Sequence, residues 1–331
     1  MLSTSDTTAS EPAPPRPGGL EAARRVFGTQ GVAPLLALVL TCAFFSVKSD
    51  AFLHAQNLSL ILQQVMVVGV LAVGQTLVIL TAGIDLSVGT VMAFGQIVMT
   101  KLAVASGVTP LLAIALGILA CTGFGVLNGA LVTGVRLPPF IVTLGTFNIA
   151  LALTHIYSKD LTYPNLPSEL LFFGRTFRFV GADFTYGVVL MFIIFGVAWY
   201  VLTQTAWGRH VYAVGDNPEA ARLTGVSVSR VTLSVYVTTG LCVGIAAMLL
   251  AARTELGDPN AGQTTENLDS ITAVVLGGTR RAGILVRGGT IRCTKVRRMI
   301  PHSSDKFQFS RYSISHATRF WISALLRASP R

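Results

Sequence analysis

The chain has 331 residues, 52% of them hydrophobic and only 12% charged. A soluble globular domain carries about 25% charged residues, so this composition excludes an ordinary water-soluble fold and points to an integral membrane protein. The net charge of +10 does not indicate a nucleic-acid binder, because residues 1–279 hold 13 basic and 14 acidic side chains, whereas residues 280–331 hold 12 basic ones and a single acid, Asp305.

Residues 1–31 are rich in Ser, Thr, Pro and Gly, a composition that cannot bury a core and predicts a disordered cytoplasmic tail. Apolar runs then recur near 32–48, 58–82, 86–106, 109–134, 138–157, 180–203 and 230–252. Most reach the roughly 20 residues that cross a bilayer. They are predicted to be helical, because lipid offers no partner to open backbone groups. The first run reads as a retained span rather than a cleaved signal, since further spans follow it. With the N-terminus inside, seven Lys and Arg fall on the inner side and six on the outer. That bias is slight; it places the segment around Glu219 in the cytoplasm.

Several segments interrupt the apolar pattern. Gly83-Ile84-Asp85-Leu86-Ser87 sets an acid between two runs. Asp85 reads either as a cap for the helix that follows or as part of a polar path. Pro138-Pro139 forces an extended stretch before the next run. Asn128, Gly129, Gly145 and Thr146 are small or polar and suit close packing or a path lining. Residues 158–179 read as a long mixed loop. Glu255, Asp258, Glu266 and Asp269 form an acidic stretch after the seventh run, suited to a partner, a polar substrate or plain solvation. Cys42, Cys121 and Cys242 lie in apolar runs and read as small core residues; with Cys293 they show no metal-binding spacing.

Residues 202–231 form a polar break between two apolar runs. Asn217-Pro218-Glu219 is a helix start: Asn caps, Pro suits the first helical position, and Glu meets the positive end of the dipole. Gly225 is placed to end the helix in a left-handed conformation. Ala220 and Ala221 predict a low-profile surface for docking a soluble partner.

The stretch from Gln75 through Gly89, Asn128-Gly129, the stretch from Arg136 through Thr146, and Glu219-Ala220-Ala221 with Gly225 together resemble the inner-membrane permeases of bacterial ABC importers for monosaccharides. Pro259 to Gly262 and Val274 to Thr279 fit the same family. The resemblance implies an all-α polytopic bundle of roughly ten spans, of which about seven to eight are retained here within a permease domain at 32–279. It also implies a cytoplasmic ATPase that docks on a coupling loop at 204–229, a periplasmic sugar-binding protein and a second permease subunit. On this basis Glu219, Ala220, Ala221, Arg222 and Gly225 are expected at the ATPase contact, and Asp85, Asn128, Thr143 and Thr146 along the substrate path. None of the five lysines ends a GxxxxGK pattern, so no enzymatic role is expected and ATP is expected on the partner. No cofactor, metal or nucleic acid is expected on this chain. A permease for another small solute, such as a branched-chain amino acid, is the alternative within the wider superfamily. A stand-alone secondary transporter is disfavoured by the docking loop.

The resemblance stops after Thr279. Residues 280–331 contain no 18-residue apolar run, and the charge switches there. The expectation is a frame-shifted or diverged tail, which makes a truncated, non-functional permease a further reading. The other readings of the tail are a basic segment on anionic lipid and a nucleic-acid arm.

Overall fold

The computed structural model describes residues 32–49, 52–179, 181–262 and 265–277; the predicted tails at 1–31 and 280–331 lie outside the described residues. The helices are α1 (Val32–Lys48), α2 (Ala55–Leu80), α3 (Val88–Ala105), α4 (Pro110–Ala130), α5 (Pro139–Ser158), α6 (Tyr186–Gln204), α7 (Ala206–Asp216), α8 (Pro218–Leu223), α9 (Val228–Thr254) and α10 (Thr265–Leu276). A π-helical turn, Leu131–Val135, extends α4. Six of these segments are long and apolar enough to cross a membrane: α2, α3, α4 with its π turn, α5, α6 and α9. Helix α1, at 17 residues, is shorter. Proline opens both α4 and α5, where its fixed φ suits the helix and its missing N–H costs nothing.

Helix α9 runs through the middle of the bundle and packs on α2, α3 and α4. Its approach to α4 is backbone to backbone. A methyl group on Gly125 would lie 2.4 Å from the Tyr236 carbonyl oxygen, and one on Gly240 would lie 2.8 Å from that of Cys121. Small residues at a crossing let two helices gain dispersion energy where lipid supplies no hydrophobic drive. Met66, Leu71, Met92, Met99, Leu249 and Leu250 fill the core around this crossing, and Cys121 and Cys242 are buried within it as free thiols.

The loop expected at 158–179 is more ordered than a plain connector. A 3₁₀ turn (Phe172–Gly174) leads into an antiparallel hairpin of β1 (Thr176–Phe179) and β2 (Ala182–Thr185), with Thr176 opposite Thr185 and Phe177 opposite Phe184. Tyr186 stacks on Phe172 with ring centroids 5.2 Å apart. The Asp183 carbonyl accepts from Ser59 and Gln63 near the start of α2. These residues therefore serve the hairpin and its seat, and α6 begins at Tyr186 rather than near residue 180.

Candidate functional site: a helix break and a projecting helix

Helix α2 ends abruptly. The Gly83 N–H donates to Val78 O and the Ala82 N–H to Ile79 O, both at 3.0 Å, with Ala82 left-handed at φ 60°. This is a Schellman turn with alanine in the position glycine usually holds. The next residues are not helical, yet Asp85 and Ser87 are buried. Buried non-helical backbone needs partners from elsewhere, and other helices supply them. Gln75 of α2 donates to the Asp85 carbonyl at 2.5 Å. Thr143 of α5 donates to Ile84 O at 3.2 Å. Asn267 of α10 donates to Leu86 O at 2.7 Å. Asn128 of α4 donates to Ser87 Oγ at 3.0 Å, and Ser87 in turn donates to Asp85 Oδ1 at 2.7 Å. Four helices are thus tied to one broken segment.

Asp85 is not the cap of a helix starting at Leu86. Helix α3 begins at Val88, and Asp85 Oδ1 accepts the Ser87 N–H two residues on, at 2.8 Å. That is an Asx turn, the local alternative a short acidic side chain offers the backbone. Of the four residues expected along a path, Asp85, Asn128 and Thr143 meet in this knot. Asp85 and Asn128 border a cavity of only about 10 Å³. Thr146 lies one turn on, donating within α5 to Val142 O and Thr143 O, both at 3.2 Å. Gln75, Ser87 and Asn267 are the partners that sequence reasoning did not single out. Gln75 carried a signal, as an amide inside an otherwise apolar run.

A second region stands on the side of the bundle where α2 ends. Thr205 caps α7, accepting the Gly208 N–H at 3.2 Å. Asn217 caps α8, accepting the N–H groups of Glu219 and Ala220 at 3.0 and 3.1 Å. Such a cap is worth about 1 kcal/mol. At the other end Gly225 sits at φ 87°, its N–H on Arg222 O and that of Val226 on Ala221 O, both at 3.0 Å. Six residues are therefore fixed at both ends. Ala221 faces inward, packed with Leu77, Val78, Val214 and Val235. Positions 219 and 223 lie on the opposite side of the helix from 221, since two residues advance about 200°. Glu219 is exposed, and Leu223 is 89% exposed. Arg222 reaches Glu219 at 3.5 Å. The presented face is thus Glu219, Ala220, Arg222 and Leu223. Ala221 anchors it from below and Gly225 shapes its end. Leu223 was missed in the sequence; the available signal was an apolar side chain out of phase with Ala221.

The two regions touch. A methyl group on Gly215 of α7 would lie 1.8 Å from the Leu80 carbonyl oxygen, so α7 rests on the last turn of α2, next to the break. At the other end of α2, Gln63, Gln64, Arg253, Glu266 and Asp269 line a pocket of about 410 Å³. Two members of the acidic stretch thus meet an arginine and two amides. Among the described residues no cluster of three His, Cys, Asp or Glu is placed to hold a metal.

A bundle of apolar helices, with a side-chain-satisfied break inside it and a capped helix projecting from one face, defines a polytopic transport permease. Residues 57–300 match the family model for the branched-chain amino acid transport system permease component, and the chain is 47% identical over 251 residues to the fructose import permease protein FrcC of Rhizobium meliloti, covering 74% of this chain and 69% of that protein. The chain belongs to the permease family of bacterial monosaccharide ABC importers; it is the transmembrane subunit of a sugar importer of the inner membrane. It is also 38% identical over 256 residues to the ribose import permease protein RbsC of Bacillus subtilis, covering 77% and 78% of the two chains. The D-allose transport system permease protein AlsC of Escherichia coli K12 is 33% identical over 243 residues, covering 73% of each. These relatives give the amino-acid alternative less support than the sugar reading. The family match runs past Thr279 to residue 300. No solved structure matches the chain.

Proposed function

We propose that α8 is the seat of a cytoplasmic ATPase, with Glu219, Ala220, Arg222 and Leu223 as its contact face and Ala221 and Gly225 holding that face in shape. The observation that carries this is Leu223, a large apolar side chain left open on a short helix that is capped at both ends. Such a knob fits a groove, and closure of the groove would rock α7 against the end of α2. ATP binds and is hydrolysed on that partner; this chain works as conduit and lever, without covalent chemistry or a cofactor of its own. A periplasmic sugar-binding protein delivers the solute, a second permease copy completes the assembly in the bilayer, and nucleic acid has no part.

Asp85, Asn128, Thr143 and Thr146 brace the wall of the path at the helix break. The pocket lined by Gln63, Gln64, Arg253, Glu266 and Asp269 offers the alternating donors and acceptors a monosaccharide needs. Fructose is the first sugar to test, given the 47% identity to the fructose permease.

The test co-expresses the chain with its ATPase and binding protein in cells lacking sugar importers of their own. Expected are uptake of labelled fructose and co-purification of the ATPase. Leu223→Asp is expected to abolish both while the membrane level of the chain stays unchanged. Co-purification that survives Leu223→Asp removes α8 as the seat. Intact docking with uptake of ribose but not fructose removes the sugar assignment alone.

A further inference from the structure

Beside the projecting helix lies a cavity of about 260 Å³, lined from the π turn after α4, the start of α5, α7, α8, α9 and the helix break. Its chemistry is one-sided. Arg136 and Arg222 both line it, and among the described residues no acidic side chain does, Glu219 pairing with Arg222 from outside the lining. Arg136, in a left-handed conformation at φ 61° just past the π turn of α4, has no ion-pair partner among the described residues. Arg222 is shared only with the exposed Glu219. Ser229, Thr232 and Tyr236 line the same cavity from α9, at spacings that put them on one helix face. Tyr236 is 1% exposed, and its buried hydroxyl has no hydrogen-bond partner. A buried hydroxyl without a partner is unfavourable, so a ligand that accepted its proton would recover that cost.

We propose that this cavity binds a phosphate group, clamped between Arg136 and Arg222 and accepting a hydrogen bond from Tyr236. Two arginines beside the Ser229, Thr232 and Tyr236 hydroxyls, with no carboxylate among the lining residues, suit an anion. Two guanidinium groups favour phosphate in particular, which takes paired N–H donors. The cavity is larger than phosphate alone, so a phosphate monoester or diester fits, whether free in the cytoplasm or as the headgroup of an anionic lipid. Because Arg222 belongs to α8 and Arg136 to the corner between α4 and α5, the bound anion would tie the projecting helix to the bundle. The occupied site would then hold α8 in its resting position.

The experiment uses the full chain in phosphatidylcholine nanodiscs and follows its thermal unfolding. One arm adds inorganic phosphate at constant ionic strength set with chloride. The other replaces part of the lipid with phosphatidylglycerol in the absence of phosphate. A saturable rise in unfolding temperature with phosphate identifies a free-phosphate site; a rise only with phosphatidylglycerol identifies a headgroup site. In either case Arg136→Gln is expected to abolish the response, and Arg209→Gln, which does not line the cavity, to preserve it. Tyr236→Phe removes a single hydroxyl and is expected to weaken half-saturation by about tenfold, which keeps the test readable if Arg136→Gln does not fold. No response in either arm, or a response in Arg136→Gln and Tyr236→Phe equal to that of the unaltered chain, overturns the proposal.

Discussion

Helices α6 and α9 are both apolar enough to cross a membrane, yet they occupy opposite places. Only 17% of the most apolar 18-residue stretch of α6 is buried within the chain, against 78% for α9. Their side chains explain the contrast. Helix α6 carries Phe192, Ile193, Phe195, Val197, Trp199 and Tyr200 outward. Helix α9 carries Thr239, Gly240, Gly244, Ala246 and Ala247 into the bundle. Hydropathy states that a helix prefers lipid to water. It does not state whether lipid or protein lies beside it. That second choice is made by size and polarity, because only small residues let backbones meet and only a protein neighbour can satisfy a buried hydroxyl.

The same bulk placed on both helices is expected to act very differently. Gly240 faces the backbone of α4, whereas nothing lies within 4 Å of a methyl group on Gly196 of α6. Gly240→Leu is expected to separate α9 from α4 and to eliminate monodisperse protein on size-exclusion chromatography in detergent. Gly196→Leu is expected to leave the elution profile intact, with stability changed by no more than about 0.5 kcal/mol. Similar behaviour of the two variants would show that burial in the bundle does not separate these helices.

The same contrast describes what the sequence makes legible. The six long spans follow from apolar runs of bilayer length, and their ends fall within a few residues of expectation, except where the hairpin delays α6. The cap and stop of α8 follow from Asn217, Pro218 and Gly225, because those signals are local. The knot at residues 84–87 is not local. It needs Gln75, Asn128, Thr143 and Asn267 to converge from four helices, over sequence separations up to 181 residues. No periodicity within one helix reports such a meeting. The inward face of Ala221 is not legible for a related reason: in a six-residue helix alanine suits either side, and packing against Val214 and Val235 decides.

A smaller effect is expected where the interior seam is polar rather than close-packed. Gln75→Leu removes the donor to the Asp85 carbonyl and leaves that buried oxygen without its amide partner. The expected cost is about 1–3 kcal/mol, measured by reversible unfolding in mixed micelles. Gln64→Leu, an exposed position on the same helix, is expected to change stability little. An unchanged Gln75→Leu protein would mean that the break does not depend on this tie.

The smallest effect concerns the ends of two helices that stop in the same way. Both α2 and α8 close with a pair of Schellman hydrogen bonds, but the left-handed position is Ala82 in one and Gly225 in the other. A side chain at positive φ brings Cβ against the following carbonyl, at about 1–2 kcal/mol per residue. Glycine avoids this but loses more backbone freedom on folding, which returns part of the gain. Ala82→Gly is therefore expected to stabilise the chain by up to about 1 kcal/mol, and Gly225→Ala to destabilise it by a similar amount. No atom stands within 4 Å of a methyl group on Gly225, so its effect is conformational alone. The two changes with opposite signs, read in one unfolding assay, isolate backbone strain from packing. A destabilised Ala82→Gly protein would show instead that the Ala82 methyl contributes more through its contacts at the break than its conformation costs.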